Sequence, residues 1–258
     1  MAISDLIQTY TRVVYDRAPL AEVVAQVRFP LLLAIDDRKP ADFQDLIISD
    51  FPNLKVLEGI QISLGPNVGE AQPARQSRSY VFSNTKTGES VTLAANAVTF
   101  TTSAYQDWHT FSAHFFEILA HFVTCYKVRQ WNRLGLRYRN VIDREELKIS
   151  NRQWINLVNP KLLGLFGTPL LEDCTLRGIG SFCQLVIGGI TLFIQTGLAE
   201  KAGSSEQPFV IDFDLSKEDE ATLDIDALRK DFDDMHTYSG PLFRWSITEE
   251  LHNALGPK

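Results

Sequence analysis

Cysteine is scarce. The 258 residues hold three, Cys125, Cys174 and Cys183, an odd number without a CxxC pair. That excludes a disulfide framework and a cysteine zinc site, and it suits a reducing, cytoplasmic compartment. Long apolar runs are missing too. The longest, LVIGGITLFI, is broken by Gly188 and Gly189 and falls well short of the roughly 20 residues that span a bilayer. The opening MAISDLIQTYTRVVYDRAPL lacks the continuous apolar core of a signal peptide, so no membrane partner is expected. Positive charge is in deficit: 25 Lys and Arg stand against 32 Asp and Glu, for a net charge of −7. Such a balance opposes indiscriminate phosphate binding while leaving room for a local basic patch.

The motifs of covalent and phosphate chemistry are absent as well. There is no GxSxG elbow, no Walker or dinucleotide glycine loop and no HExxH. Gly178 and Gly180 of GIGSF fall within expected strands with no helix behind them, where they mark a bend. Cys125 and Cys183 sit among apolar neighbours, the setting of an inert core thiol. No cofactor and no catalytic residue is assigned. His114, Glu117 and His121 share a helical face at i, i+3 and i+7, a spacing that a metal could use, yet a half-solvated polar face is the simpler account and no metal is expected. The acidic KEDE (217–220) and DFDD (231–234) lack the glycine-punctuated oxygen ligands of a calcium loop.

What is present is enough apolar material, 45% of the chain, to build a packed core. Glu22 to Phe29 alternates as a strand before Pro30, and ADFQDLIISDFP after Pro40 has helical spacing. Strands follow at Val56 to Leu64, Tyr80 to Ser83, Ser90 to Ala95 and Val98 to Ser103, with a loop from Gly65 to Arg78 and a turn at TKTGE. From Tyr105 to Tyr126, Trp108, Phe111, Phe115, Leu119 and Phe122 recur at threes and fours and predict a long amphipathic helix with Trp108, Phe115 and Phe122 buried.

The second half runs in the same order. WNRLGLRYRN reads as a strand, NRQWINLVNPKLLGLF as a helical segment interrupted at Pro160, and strands are expected at Thr175 to Ile179, Cys183 to Ile187, Ile190 to Thr196 and Phe209 to Leu215. Ile225 to Met235 predicts one further helix. SITEELHNALGP predicts another, capped by a Ser246–Glu249 box and stopped by Gly256. The fold class is therefore α+β: antiparallel sheet with helices on one face, arranged as a duplicated β-α-β4-α unit with halves at 1–129 and 130–258 packed as one globular unit. This order resembles the duplicated unit of the TATA-binding-protein-like and helix-grip folds, which implies helices covering one face of a curved sheet.

APLAEVVAQVRFP, RLGLRYRNVID and LFRWSITEELHNALGP together resemble the landmarks of a sporadically distributed prokaryotic family of uncharacterised proteins of about this length. The resemblance spans nearly the whole chain. It implies an accessory gene, and no reaction, cofactor or catalytic residue.

The candidate site lies on WNRLGLRYRN. Strand alternation puts Trp131, Arg133, Arg137 and Arg139 on one face, with Gly135 leaving a gap, and Leu134, Leu136 and Tyr138 on the other. Asp212 and Asp214 share one face of VIDFDLS, so a cross-strand charge ladder accounts for the arginines. Alternatively the guanidiniums grip an anion, nucleic acid or nucleotide, beside the Trp131 indole. Polar groups on the other strands' outer faces, Gln61, Ser63, Thr99, Thr101, Thr191 and Gln195, suit a ligand surface. The composite reading is a non-catalytic binding or interaction module for an anionic ligand or a protein partner. A hydrolase or transferase whose site is assembled only in the fold is the alternative. VIDFDLSKEDE, read as an edge strand, carries charge that discourages nonspecific pairing and leaves a specific homodimer open.

Overall fold

The computed structural model describes residues 13–61, 75–164, 178–201, 203 and 206–258. The first helix-and-strand series is β1 (Leu20–Arg28), α1 (Leu33–Asp37), α2 (Ala41–Ile47), β2 (Asn53–Gln61), β3 (Arg75–Asn84), β4 (Glu89–Ala94), β5 (Ala97–Thr102) and α3 (Trp108–Tyr126). The second is β6 (Gln130–Ile142), α4 (Arg144–Leu147), α5 (Trp154–Leu157), α6 (Pro160–Leu163), β7 (Gly180–Ile187), β8 (Ile190–Leu198), β9 (Phe209–Thr222), α7 (Ile225–Ser246) and α8 (Glu249–Leu255). The class is α+β, with an antiparallel sheet of nine strands hydrogen-bonded in the order β2-β3-β4-β5-β1-β6-β9-β8-β7.

The order places VIDFDLSKEDE between β6 and β8, so it is an interior strand and not the edge its charge suggested. Its carboxylates are tolerated there because the buried Asp212 is paired with Arg137 and Glu218 to Glu220 are exposed. β3 starts at Arg75, inside the stretch expected to be loop, because Arg75 to Arg78 ladder with Glu58 to Gln61. The strand expected at Thr175 to Ile179 falls mostly outside the described residues, as do Ser63 and the core of the expected loop. Gly188 and Gly189 have φ of +58° and +83° and form the β7–β8 turn, the two-residue geometry that requires positive φ at both positions.

Two compact units are defined by their internal contacts: Met1–Val23, Gly135–Lys217 and Lys230–Lys258 in one, Val24–Leu134 and Glu218–Arg229 in the other. In the second, the core is aromatic. Phe29 meets Phe122 at 4.8 Å, Phe43 meets Phe82 at 5.8 Å and Phe100 meets Phe111 at 5.1 Å, so α2 and α3 cover the face formed by alternate residues of β1, β3 and β5. Phe115 and Phe122 are fully buried as expected, each such ring contributing about 1.5–3 kcal/mol relative to exposure. Trp108 is only half-buried, since α3 begins at that residue and Asp107 caps it through the Thr110 amide at 2.9 Å.

In the first unit, Ile211, Phe213 and Leu215 of β9 and Leu136 and Tyr138 of β6 are buried, with Trp154 of α5 against Phe209 at 5.3 Å. One expectation about the last helices fails. α7 runs unbroken from Ile225 to Ser246 through Pro241, and Thr248, not Ser246, caps α8 by accepting from the Leu251 amide. Ser246 is fully buried and bonds back to the Leu242 carbonyl at 2.7 Å, which removes it from capping. No helix among the described residues is long and apolar enough to cross a membrane.

Candidate functional site: a groove beside Arg139

The three arginines of β6 have three different environments. Arg133 donates to the Gln26 side-chain oxygen at 3.4 Å and lies 3.9 Å from the Glu218 carboxylate, while Gln26 in turn donates to Thr99 at 2.9 Å. Arg137 is clamped. Its Nε donates to both oxygens of Asp212 at 2.9 and 3.0 Å, and its Nη2 to Oδ2 at 2.5 Å. The Asp212 hydrogen bond raises the Arg137 pKa, burial opposes that rise, and the nearby carboxylates Asp212, Glu22 and Asp214 add to it. Trp131 is 4% exposed, so its indole presents no stacking surface to solvent. Gly135 is buried as well.

Arg139 differs. Among the described residues its side chain has no hydrogen-bond or ion-pair partner, and it lines a cavity of about 740 Å³. The walls come from Arg17 to Ala21 ahead of and within β1, from Val141 and Asp143 at the end of β6, from Glu146 and Leu147 of α4, and from Ala199 to Lys201 after β8. Pro19, Val141, Leu147 and Pro208 add apolar surface to its lining.

Asp143 organises this groove. Its side chain caps α4 by accepting from the Glu145 and Glu146 amides at 2.9 and 3.2 Å. The other oxygen accepts from the Lys201 ammonium, which also reaches Glu146 at 3.3 Å. Burial alone would raise the Asp143 pKa, but the Lys201 hydrogen bond and charge and the two amides outweigh it and hold the carboxyl below its ordinary value. A second clasp fixes the same connection between β8 and β9: Arg144 donates to Glu206 at 2.5 Å while its guanidinium lies 4.5 Å over the Trp154 ring. With Lys201 bound to two carboxylates, the groove keeps, among the described residues, two unpaired guanidiniums, Arg17 and Arg139, against the single unpaired carboxylate of Glu200.

Sequence reasoning included Arg139 but missed Arg17, Asp143 and Lys201. Asp143 had a signal, an Asp three residues ahead of Glu146 directly after a strand, which is the pattern of a helix start. Arg17 and Lys201 had none, because their roles depend on which segments the fold brings together. Elsewhere, His114 leans on Glu89 at 3.4 Å and stacks on Phe51 at 5.5 Å, and among the described residues no group of three His, Cys, Asp or Glu is placed to hold a metal. Cys183 is exposed on β7, contrary to the core position expected for it, because β7 ends the strand order and its outer side chains meet no further strand among the described residues. Lys217 of KEDE pairs with Asp231 of DFDD at 2.7 Å, which joins the two acidic stretches through a cation.

Fold and cavity define an α+β protein with an antiparallel sheet and a groove lined by charged and apolar residues. No family model, no curated protein and no solved structure matches the chain.

Proposed function

We propose that this chain is a cytoplasmic binding module that takes an anionic ligand of nucleotide size without transforming it, and that Arg139 is the group that grips it. The observation carrying this reading is the unpaired Arg139 guanidinium in the wall of a cavity whose volume falls in the range of ligand pockets, about 300–1,000 Å³. A planar guanidinium with free donors suits a phosphate bidentately. The apolar lining from Pro19, Val141, Leu147 and Pro208 suits a sugar or base edge.

A nucleotide is favoured over a long nucleic acid because the other two arginines are engaged, Trp131 is buried and the net charge of −7 repels a polyanion. Asp143, held ionised beneath Lys201, acts as an anchor for a groove wall and is poorly placed to donate a proton. The strand order supports reading 1–129 and 130–258 as two related halves: β1 and β6 are neighbours, followed outward by β5, β4, β3 and β2 on one side and, among the described residues, by β9, β8 and β7 on the other.

The test is equilibrium binding of fluorescent ATP and GTP and of a short single-stranded oligonucleotide at low salt, with wild type and Arg139→Gln. Saturable nucleotide binding weakened about tenfold or more by Arg139→Gln is expected, as for loss of a charge-assisted hydrogen bond. Absent binding, or equal binding by the variant, overturns the proposal. Retention of the oligonucleotide alone shifts the ligand class to nucleic acid.

A further inference from the structure

Arg17, the other unpaired guanidinium of the groove, comes from a segment with no regular structure of its own. A single extended strand end cannot hold an exposed arginine in place, yet this one is tied down residue by residue. Asp16 donates its amide to the Gly256 carbonyl at 2.9 Å, Arg17 to the Leu255 carbonyl at 3.0 Å, and Lys258 to the Val14 carbonyl at 2.9 Å. Tyr15 and Pro257 form an antiparallel bridge within the same zipper.

Side chains reinforce it. The Tyr15 hydroxyl is hydrogen-bonded to His252 Nδ1 at 2.9 Å, its ring lies edge-on to Phe243 at 5.9 Å, and Lys258 pairs with Asp16 at 2.5 Å. Gly256 permits the close approach. It ends α8 with φ at +73°, and a Cβ there would stand 3.2 Å from the Asp16 Cβ. None of Tyr15, His252 or Gly256 lines the cavity, whereas Arg17, Ala18 and Pro19, the residues directly after the zipper, do.

We infer that Arg17 is the second anion-binding residue of the groove, and that the zipper between Val14–Arg17 and Leu255–Lys258, with Gly256 and Tyr15 as positioning residues, sets its guanidinium toward the ligand. This rests on the proposed anion-binding groove at Arg139. Two guanidiniums from separate segments select a ligand with at least two negative charges in reach of one another, such as the polyphosphate of a nucleoside di- or triphosphate, over a monoanion.

The experiment is a double-mutant cycle on fluorescent ATP binding, with AMP and inorganic tripolyphosphate as competitors. Arg17→Gln is expected to weaken ATP about tenfold and AMP much less. Gly256→Ala, or the milder Tyr15→Phe, is expected to weaken ATP severalfold in the wild-type background and to add nothing in the Arg17→Gln background. In the Arg139→Gln background the same changes keep their full effect. A melting curve confirms that Tyr15→Phe is folded, and that variant decides the question if Gly256→Ala is not. Wild type that binds ATP and loses it on Arg139→Gln, but is indifferent to Arg17→Gln, overturns this inference alone. Zipper variants whose effects persist in the Arg17→Gln background overturn the positioning role. Wild type that binds neither ATP nor tripolyphosphate removes both readings together.

Discussion

Arg137 and Asp212 form a three-contact ion pair across β6 and β9, with the Asp212 side chain 9% exposed and the Arg137 side chain 41% exposed. Two residues further along the same strand, Arg139 has no such partner among the described residues. The pair is intermediate between a surface ladder rung, worth about 0.2–1 kcal/mol, and a buried pair, where removing one member costs about 3–5 kcal/mol. Arg137→Gln is therefore expected to destabilise the protein by about 1–3 kcal/mol in urea unfolding, chiefly by leaving Asp212 buried without a cation. Adding Asp212→Asn should recover part of that loss, and an additive double mutant would show that the two side chains are not coupled.

Arg139→Gln should do the opposite. With no partner to strand, its stability change is expected within about 0.5 kcal/mol, while ligand affinity falls. Arg137→Gln should keep the ligand. A variant series in which the two substitutions have equal effects on melting temperature and on binding would contradict the division of roles along β6.

Asp143 links the groove to acid stability. Its folded pKa lies below the ordinary 3.8, so its contribution is fully present above that value and is lost as pH falls through the depressed folded value. Asp143→Ala removes both the α4 cap and the Lys201 tie and should cost about 1–3 kcal/mol at neutral pH. Asp143→Asn keeps the cap, should cost less, and should flatten the stability profile below pH 4 in denaturant titrations. An unchanged acid limb in Asp143→Asn would count against this assignment.

At the alkaline end, Tyr126 is pushed up to about 12, first by burial and then by Cys125, Asp42 and Tyr80. A raised folded pKa gives stability that is complete below the unfolded value of 10.0 and lost as pH rises toward 12. Ultraviolet titration should show one tyrosine ionising well after the exposed ones. Tyr126→Phe should remove that late step and soften the stability loss above pH 10, and a late step that persists in the variant belongs to another phenol.

The long helix α3, the β7–β8 turn at Gly188–Gly189 and the strand WNRLGLRYRN were legible because each depends on neighbours a few residues apart: an apolar stripe of period 3.6, two positive-φ glycines, an alternation of period two. The extent of α7 was not. Pro241 forfeits one backbone hydrogen bond and ordinarily ends a helix, and the helix continues because Phe232, Met235 and Leu242 on one face are all buried by distant segments. With Ser246 drawn into that helix, the cap of α8 passes to Thr248.

Taken alone, the sequence determined that Arg133, Arg137 and Arg139 share one face of one strand, since side-chain alternation is a local property of an extended chain. Only tertiary structure decided their separate fates, because a guanidinium is neutralised by whatever carboxylate the sheet order delivers beside it. β9 delivers Asp212 to Arg137, while the end of β6 meets a hollow in which two of the three acids, Asp143 and Glu146, are held by Lys201 and the third, Glu200, forms no ion pair with Arg139 among the described residues. Strand order, loop return and the zipper that carries Arg17 are all pairings between residues far apart in the chain, and no periodicity within a segment encodes them.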